Sequence, residues 1–351
     1  MREITYAEAI REGFALALER DPRVMLIGLG IPDPKGFFGT TLDLPKKFGE
    51  DRVMDMPCAE NGMTGVMLGA AINGLRPIIS HQRVDFAMLS MDQICTQAAK
   101  WHYMFGGIMK MPLVIRMIVG RGWGQGPQHS QCLHSWFAHI PGLKVVLPCS
   151  PHDAKGLLLA AIFDDNPVVF LEHRWLHHIK GQVPEGFYTT EIGPARVAHS
   201  GKDVTIVAFS YMVLEALQAA TALEAVGIHA EVIDVRCVRP LDRETVLASV
   251  RKTGRLVVAD TSWANAGMSA EILALASEGA FKELKAAPKR VCFPDCPTPT
   301  SPALAAEFYP RHGHIVNAAR ETLGLAPDPA VLTVPAGQQL DVPNPAFTGP
   351  F

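Results

Sequence analysis

Short apolar runs rich in β-branched residues alternate with segments of helical periodicity along most of the chain. This alternation is typical of parallel βαβ units, so the sequence predicts an α/β fold. Six buried strands are predicted in the first half, at residues 24–29, 53–56, 77–80, 113–119, 144–147 and 168–171. They would form a first domain over residues 1–180.

The alternation then breaks and resumes. Residues 181–200 contain three glycines and two prolines without a sustained apolar period, which predicts a linker. A second, smaller α/β domain over 201–325 follows from predicted strands at 204–209, 230–235 and 256–260 and predicted helices at 212–226 and 243–250. The remaining residues, 326–351, hold six prolines and are expected to form a tail without a regular helix or central strand.

Composition argues against several classes of partner. The 351 residues carry a formal net charge of -3 with both signs interspersed, so no field for nucleic acid or anionic lipid is expected. No apolar run approaches the roughly 20 residues that span a bilayer, and Arg2 and Glu3 stand where a signal peptide would be apolar. Seven scattered cysteines favour a reducing compartment, so a cytoplasmic protein is expected.

Familiar cofactor motifs are missing. Gly28-Leu29-Gly30 lacks the third glycine of a dinucleotide fingerprint, and Pro32 interrupts the helix that should follow. The glycine-rich segment 120–126 is not followed by Gly-Lys-Ser/Thr, so it is not a P-loop. Thirteen histidines and seven cysteines include no His-Glu-x-x-His and no Cys-x-x-Cys, which disfavours a zinc site.

Three polar segments follow predicted strands, where open α/β sheets place their chemistry. Glu60 opens a helix after strand 53–56, although a glutamate in a first helical turn is also favoured by the helix dipole alone. His81, Gln82, Arg83 and Phe86 follow the next strand, and core packing is the commoner role of a single Phe. His129 comes after the glycine-rich loop, which would present it flexibly.

In this order, the segments resemble the beta subunit of the thiamine-diphosphate-dependent 2-oxoacid dehydrogenases of the pyruvate and branched-chain type, in the transketolase-like superfamily. The matching residues of the first part are Phe48-Gly49, Asp51-Arg52-Val53, Glu60-x-Gly62, Gly69-Ala70-Ala71, Gly74-Leu75-Arg76-Pro77, Asp85-Phe86, Asp92-Gln93-Ile94, Ala98-Ala99-Lys100, Tyr103-Met104 and Gly106-Gly107. Those of the second part are Gln128-His129-Ser130-Gln131, His139-x-Pro141-Gly142-Leu143-Lys144-Val145-Val146, Asp153-Ala154-Lys155-Gly156-Leu157, Asn166-Pro167-Val168, Val232-Ile233-Asp234 and Pro240-Leu241-Asp242. The resemblance covers about residues 3–324.

The resemblance implies a pyrimidine-binding domain, a transketolase C-terminal-type domain and an α2β2 heterotetramer. Thiamine diphosphate then lies between an alpha and a beta subunit, and the alpha subunit holds the diphosphate and Mg2+ through a Gly-Asp-Gly motif. No Gly-Asp-Gly occurs in these 351 residues, so an alpha partner is expected. A lipoyl-bearing acyltransferase is the further partner that such a subunit would serve.

Roles follow from the resemblance residue by residue. Glu60 would hydrogen-bond the pyrimidine nitrogen and promote the amino-imino tautomerism that activates the cofactor. Phe86 and Gln82 would line the aminopyrimidine pocket, and His129 would donate a proton or steady the intermediate while the acyl group leaves. A structural potassium ion would be bound by carbonyl oxygens, which map to Leu113, Ala161, Ile162, Asp164 and Asn166.

The sequence departs from the family beside the pocket. Ser80-His81-Gln82-Arg83 stands where many members have Glu-Phe-Gln-Phe, and Gly28-Leu29-Gly30 stands where they have Gly-Glu-Asp. His81 and Arg83 are therefore expected to recognise an anionic or hydroxylated substrate, or Arg83 to pair with an acidic residue of the alpha subunit. Cys132-Leu133-His134 is also unusual.

The leading hypothesis is a subunit that decarboxylates a 2-oxoacid and transfers the acyl group to a lipoyl acceptor. A split transketolase-like enzyme transferring a ketol or acyl unit is the enzymatic alternative, and the block Gln128-His129-Ser130-Gln131 favours the dehydrogenase. A non-catalytic scaffold is the third, which the joint presence of Glu60, Phe86 and His129 disfavours. The substrate and the acyl acceptor are not fixed by the sequence.

Overall fold

The computed structural model describes residues 1–33, 35–121 and 124–333, which form two compact units. The first unit contains the described residues up to 121 together with 136–192, and the second contains 124–135 and 193–333. Both are α/β, which confirms the predicted fold class. Most of the tail predicted at 326–351 lies outside the described residues.

Six strands of the first unit form one parallel sheet. The strands of this unit are β1 (Arg2–Thr5), β2 (Val24–Gly28), β3 (Val53–Met54), β4 (Arg76–His81), β5 (Val114–Val119), β6 (Lys144–Val146), β7 (Val168–His173) and β8 (Lys180–Val183). The parallel order is β6-β7-β5-β4-β2-β3, while β1 pairs antiparallel with β8. All six strands predicted here are present, because each is a buried run with clear boundaries.

Helices cover the sheet of the first unit. They are α1 (Tyr6–Arg20), α2 (Leu44–Phe48), α3 (Glu60–Ile72), α4 (Val84–Ala87), a π-helical stretch (Asp92–Ala98) that continues into α5 (Ala99–Met104), α6 (His134–His139), whose first two residues belong to the second unit, and α7 (Pro151–Phe163). Thr5 and Glu8 cap α1 reciprocally, and Ser150 caps α7. Helices α1 and α7 pack closely, since a Cβ at Gly13 would lie 3.1 Å from Leu158.

The second unit is a smaller sheet of order β14-β13-β10-β11-β9. Its strands are β9 (Arg196–His199), β10 (Val204–Ala208), β11 (Ala230–Asp234), β12 (Cys237–Arg239), β13 (Leu256–Trp263) and β14 (Lys289–Phe293). Its helices are α8 (Met212–Glu224), α9 (Arg243–Thr253), α10 (Met268–Gly279), α11 (Pro302–Phe308) and α12 (His312–Thr322). None of the described helices has both the length and the apolar character needed to cross a bilayer.

Strands β8 and β9 fall largely within the segment predicted as a linker. Both are four-residue edge strands whose residues are mostly exposed or half-buried. Such strands need no sustained apolar alternation, which is why the sequence pattern did not indicate them.

A charged cluster lies at the centre of the first unit. The guanidinium of Arg116, in the middle of β5, donates to both carboxylate oxygens of Glu172, at 2.5 and 2.9 Å, and to the hydroxyl of Thr40 at 2.8 Å. His177 Nε2 donates to Glu172 at 3.1 Å. The ring of Phe37 lies under the guanidinium at 4.6 Å. These groups are almost wholly shielded from solvent, so each depends on its partners.

The cluster sets the charge of its members. Burial opposes ionisation of Glu172, but the charge of Arg116 and the hydrogen bonds from His177 and Arg116 outweigh it and lower the pKa of this carboxyl to about 2. Burial lowers the pKa of His177 to about 4, although its hydrogen bond to Glu172 acts in the other direction. At neutral pH, Glu172 is therefore ionised and His177 is neutral.

Acid is expected to destabilise the first unit through His177. Its pKa in the folded chain, about 4, lies below the roughly 6.5 of an unfolded histidine, so the unfolded chain binds the proton first. The free energy of unfolding should fall by about 3 kcal/mol from this residue between pH 7 and pH 4. Loss of ionised Glu172 should add to this below about pH 4.5.

Urea unfolding at several pH values measures this effect. His177→Gln keeps a nitrogen that can donate to Glu172 but does not titrate, so its stability should fall less steeply than that of the wild type between pH 7 and pH 4. Parallel curves for the two proteins would show that His177 does not titrate as described.

Candidate active site

The parallel strands of the first unit end at a common edge. The register pairs Gly28 with Ser80, and His81 with Met117, so the segments after β2, β4 and β5 leave the sheet on the same side. Strand β3 pairs in the same direction with β2. Within the first unit, the polar segments at Glu60 and at residues 81–86 therefore follow strands that end at this edge, where α/β proteins place their ligands.

Glu60 is the first residue of α3 and only 7% exposed. Ala59 precedes it without a side-chain cap, so the carboxylate lies in a first turn where the helix dipole favours negative charge. The thiol of Cys58 lies 3.9 Å from Glu60 Oε1. Further along α3, the hydroxyl of Thr64 donates to Ser90 at 3.0 Å and fixes the helix against the segment after α4. A nearly buried carboxyl group is thus held at the sheet edge.

Gln82 is tied to the turn that follows β2. Its side-chain amide donates to the carbonyl of Leu29 at 2.9 Å. The backbone N–H of Gly30 donates to Asp55 at 2.8 Å, so the segment after β3 holds the same turn. Gly30 has φ +72°, and a Cβ there would lie 3.1 Å from the Gln82 amide nitrogen. A glycine is therefore needed at this close approach.

Phe86, in the short helix α4, is 37% exposed. A core phenylalanine would be fully buried, so this ring has the partly open position that contact with a ligand requires. Glu60, Gln82 and Phe86 all belong to the first unit.

His81 and Arg83 are buried rather than displayed. They are 1% and 2% exposed. Both terminal nitrogens of Arg83 donate to the carbonyl of Gly120, at 2.9 and 2.7 Å, just after β5. Burial lowers the pKa of His81 to about 4, so this ring is neutral at pH 7. The charge of Arg83 is directed at the protein backbone, and the predicted role of these two residues in substrate recognition stays a prediction.

His129 belongs to the second unit. It is half-buried and ends a single 3-10 turn, Pro127–His129. The backbone N–H of His129 donates to the carbonyl of Gly126 at 3.1 Å. The hydroxyl of Ser130 donates to the carbonyl of Gln125 at 3.1 Å. These two hydrogen bonds close residues 125–130 into a compact turn.

An open cleft of about 370 Å3 adjoins this turn within the second unit. It is lined by Pro127, Gln128, Gln131, Trp263, Asp295, Cys296, Pro297 and Thr298. Gln128 directly precedes His129 in the sequence, and Gln131 follows it by two positions. In the segment 295–298 the sequence drew attention only to Cys296, which with Cys292 has the spacing of one helical turn but lacks the second pair that a zinc site needs.

Two of the five carbonyl groups predicted to bind potassium lie beside Arg76. Its guanidinium donates to the carbonyls of Ile162 and Asp164, at 3.2 and 2.9 Å. The carbonyl of Leu113 accepts from the N–H of Val168. Two of the predicted ligands therefore already contact a positive charge supplied by the chain itself, and the potassium site stays a prediction.

Comparisons with known proteins identify the families of the two units. The transketolase pyrimidine-binding domain family matches residues 2–178, and the transketolase C-terminal domain family matches residues 193–315. A solved structure titled split gene transketolase, inactive beta4 tetramer, superposes with a TM-score of 0.73 at 25% identity, covering 92% of this chain and 99% of that one.

Relatives of known function are closer in sequence. The beta subunit of acetoin:2,6-dichlorophenolindophenol oxidoreductase from Cupriavidus necator is 43% identical over 92% of this chain and 98% of its own length. The pyruvate dehydrogenase E1 beta-2 subunit of Oryza sativa is 42% identical over 91% of this chain and 86% of its own length. The pyruvate dehydrogenase E1 beta subunit of Bos taurus is 40% identical over 92% of this chain and 91% of its own length. The chain therefore belongs to the transketolase-like family of beta subunits of thiamine-diphosphate-dependent 2-oxoacid dehydrogenases.

Proposed function

We propose that this chain, together with an alpha subunit in an α2β2 heterotetramer, binds thiamine diphosphate, decarboxylates a 2-oxoacid and passes the acyl group to a lipoyl-bearing acyltransferase. The observation that carries the proposal is Glu60, a nearly buried carboxyl group at the edge of the sheet, in a chain whose relatives are E1 beta subunits.

The surroundings of Glu60 suit contact with an aminopyrimidine. A carboxyl group in a partly dry site can share a proton with a ring nitrogen more effectively than one in water. The partly exposed ring of Phe86 offers an aromatic face, and the side chain of Gln82 is held by its hydrogen bond to the Leu29 carbonyl. When bound, thiamine diphosphate supplies the chemistry that cleaves the bond next to a carbonyl group.

An alpha subunit would complete the site. The chain has no Gly-Asp-Gly segment, so we assign the diphosphate and Mg2+ to the partner. The relatives are themselves beta subunits, of an acetoin oxidoreductase and of the pyruvate dehydrogenase E1 component, which supports an obligatory partner. A soluble complex in the cytoplasm fits the proposal best.

His129 is proposed to act at the acyl group. An imidazole can donate a proton to a leaving oxygen or sulfur. The cleft beside the turn that carries it offers room for an acceptor. His129 is thus assigned to the transfer step, and Glu60 to activation of the cofactor.

A second candidate substrate is acetoin. The relative that is 43% identical is named for acetoin, a neutral hydroxyketone whose carbon–carbon cleavage would leave a two-carbon unit for transfer and release acetaldehyde instead of carbon dioxide. Ketol transfer is kept as the third possibility because of the split-gene transketolase. All three reactions break a bond next to a carbonyl carbon, so one assay series with different substrates separates them.

The chain purified alone is expected not to bind thiamine diphosphate in the presence of Mg2+, whereas the complex with its alpha subunit binds it and releases carbon dioxide from a 2-oxoacid. Calorimetry measures the binding. A screen of 2-oxoacids, acetoin and ketose phosphates identifies the substrate. Micromolar binding by the chain alone would contradict the need for a partner, and turnover of ketose phosphates only would favour the transketolase alternative.

Glu60→Gln should leave the complex assembled but slow turnover by on the order of 10² or more, the usual scale for a positioned proton-transfer group. Exchange of the thiazolium C2 proton for deuterium in the bound cofactor is the direct measurement. Glu19→Gln is the matched control, because Glu19 lies on the surface and pairs with Lys47. An exchange rate equal to that of the wild type would remove Glu60 from cofactor activation.

His129→Ala should lower acylation of a lipoyl domain more than carbon dioxide release with an artificial electron acceptor, because the side chain is assigned to the second half-reaction. His139→Ala, on the exposed side of α6, is the control. Equal losses in the two assays would reject a step-specific role.

A further inference from the structure

The second unit contains a buried histidine and aspartate pair that the proposed chemistry does not use. His134 Nε2 lies 3.1 Å from one carboxylate oxygen of Asp260 and 3.4 Å from the other. Both side chains are at most 1% exposed. The imidazole also stacks on the ring of Phe209, with centroids 6.0 Å apart.

This pair joins distant parts of the chain. His134 closes the unusual segment Cys132-Leu133-His134, while Asp260 lies in β13. A carboxylate buried this deeply is costly unless a donor faces it. Among the described residues, His134 Nδ1 meets no hydrogen-bond partner, so the ring is held through Nε2. Within this part of the chain, the pair therefore fixes the direction of the His134 side chain.

Strand β13 provides a second attachment to the same segment. The hydroxyl of Ser262 donates to the carbonyl of Cys132 at 3.1 Å. Asp260 and Ser262, two positions apart in β13, both contact the segment 132–134. Together they hold the side chain of His134 and the backbone of Cys132.

The other end of the loop is also in close contact with the second unit. A Cβ at Gly126 would lie 2.3 Å from the hydroxyl of Thr300, so the backbone of the loop passes directly against that residue. Between these two attachments lies the turn closed by the His129 N–H and the Ser130 hydroxyl. The place of His129 is therefore set from both sides.

We propose that His134 and Asp260 are positioning residues, which hold the loop 124–133 on the sheet of the second unit and thereby fix His129 for acyl transfer. The part of this inference that concerns acyl transfer rests on the proposed function. The part that concerns the loop rests only on the contacts described above.

Hydrogen-deuterium exchange of the full chain tests the loop. His134→Leu removes the hydrogen bond while keeping an apolar side chain in the core, and should speed exchange of amides in 124–133 by about tenfold or more, the ratio that corresponds to loss of one buried hydrogen bond. His134→Gln can place an amide nitrogen near the Nε2 position and should restore most of the protection.

Thr205→Val is the matched control. It removes buried hydrogen bonds to Ser249 and Thr253, at 2.8 Å each, from the neighbouring strand β10, and should not speed exchange selectively in the loop. If His134→Leu does not fold, Asp260→Asn replaces the charged acceptor by a neutral one and weakens the hydrogen bond, so it should also speed exchange in 124–133, by less than about tenfold. Unchanged exchange in 124–133, or a uniform increase across the whole unit, would overturn the positioning role.

A double-mutant cycle in the complex with the alpha subunit tests the link to chemistry. His134→Leu should lower lipoyl acylation about tenfold while carbon dioxide release changes less, and should cause no further loss once His129 is Ala. Additive losses would show that His134 acts independently of His129 and would overturn that link. If the wild-type complex performs neither reaction, the proposed function fails. The hydrogen-deuterium exchange experiment still shows whether His134 and Asp260 hold the loop 124–133.

Discussion

The ion pair between Arg116 and Glu172 is the constraint around which the first unit is organised. Two opposite charges lie inside a parallel sheet on the neighbouring strands β5 and β7, shielded from water. Desolvation of such groups costs several kcal/mol per ion, so they persist only with good geometry and further hydrogen bonds. Removing either partner would leave a buried charge that the surroundings cannot stabilise.

The groups that hydrogen-bond to this ion pair or pack against it come from early and late parts of the first unit's sequence. Thr40 and Phe37, which contact Arg116, belong to the loop after β2, and His177, which contacts Glu172, belongs to the segment after β7. Tyr6, at the start of α1, stacks on His177 with ring centroids 5.9 Å apart. These contacts fix the loop after β2 and the segment after β7 near the edge of the sheet where Glu60 and Gln82 lie.

Much of this fold follows from the sequence because buried parallel strands are nearly continuous apolar runs. The position of Glu60 at a strand end could be predicted in the same way. Side-chain direction could not. Arg83 was placed at the correct edge, but whether its guanidinium faces outward or turns onto the Gly120 carbonyl depends on long-range packing. The contact between His134 and Asp260 could not be predicted either, because residues 126 positions apart in the sequence leave no local pattern.

Glu60 and His129 belong to separately packed units. Each unit has its own sheet and its own buried polar contacts, so their resistance to heat and denaturant need not be equal. Under the assignment above, the two half-reactions depend on different cores. If the second unit unfolds at the lower temperature, gradual heating would leave an enzyme that still releases carbon dioxide but no longer acylates the lipoyl group, because acyl transfer requires both units and carbon dioxide release requires only the first.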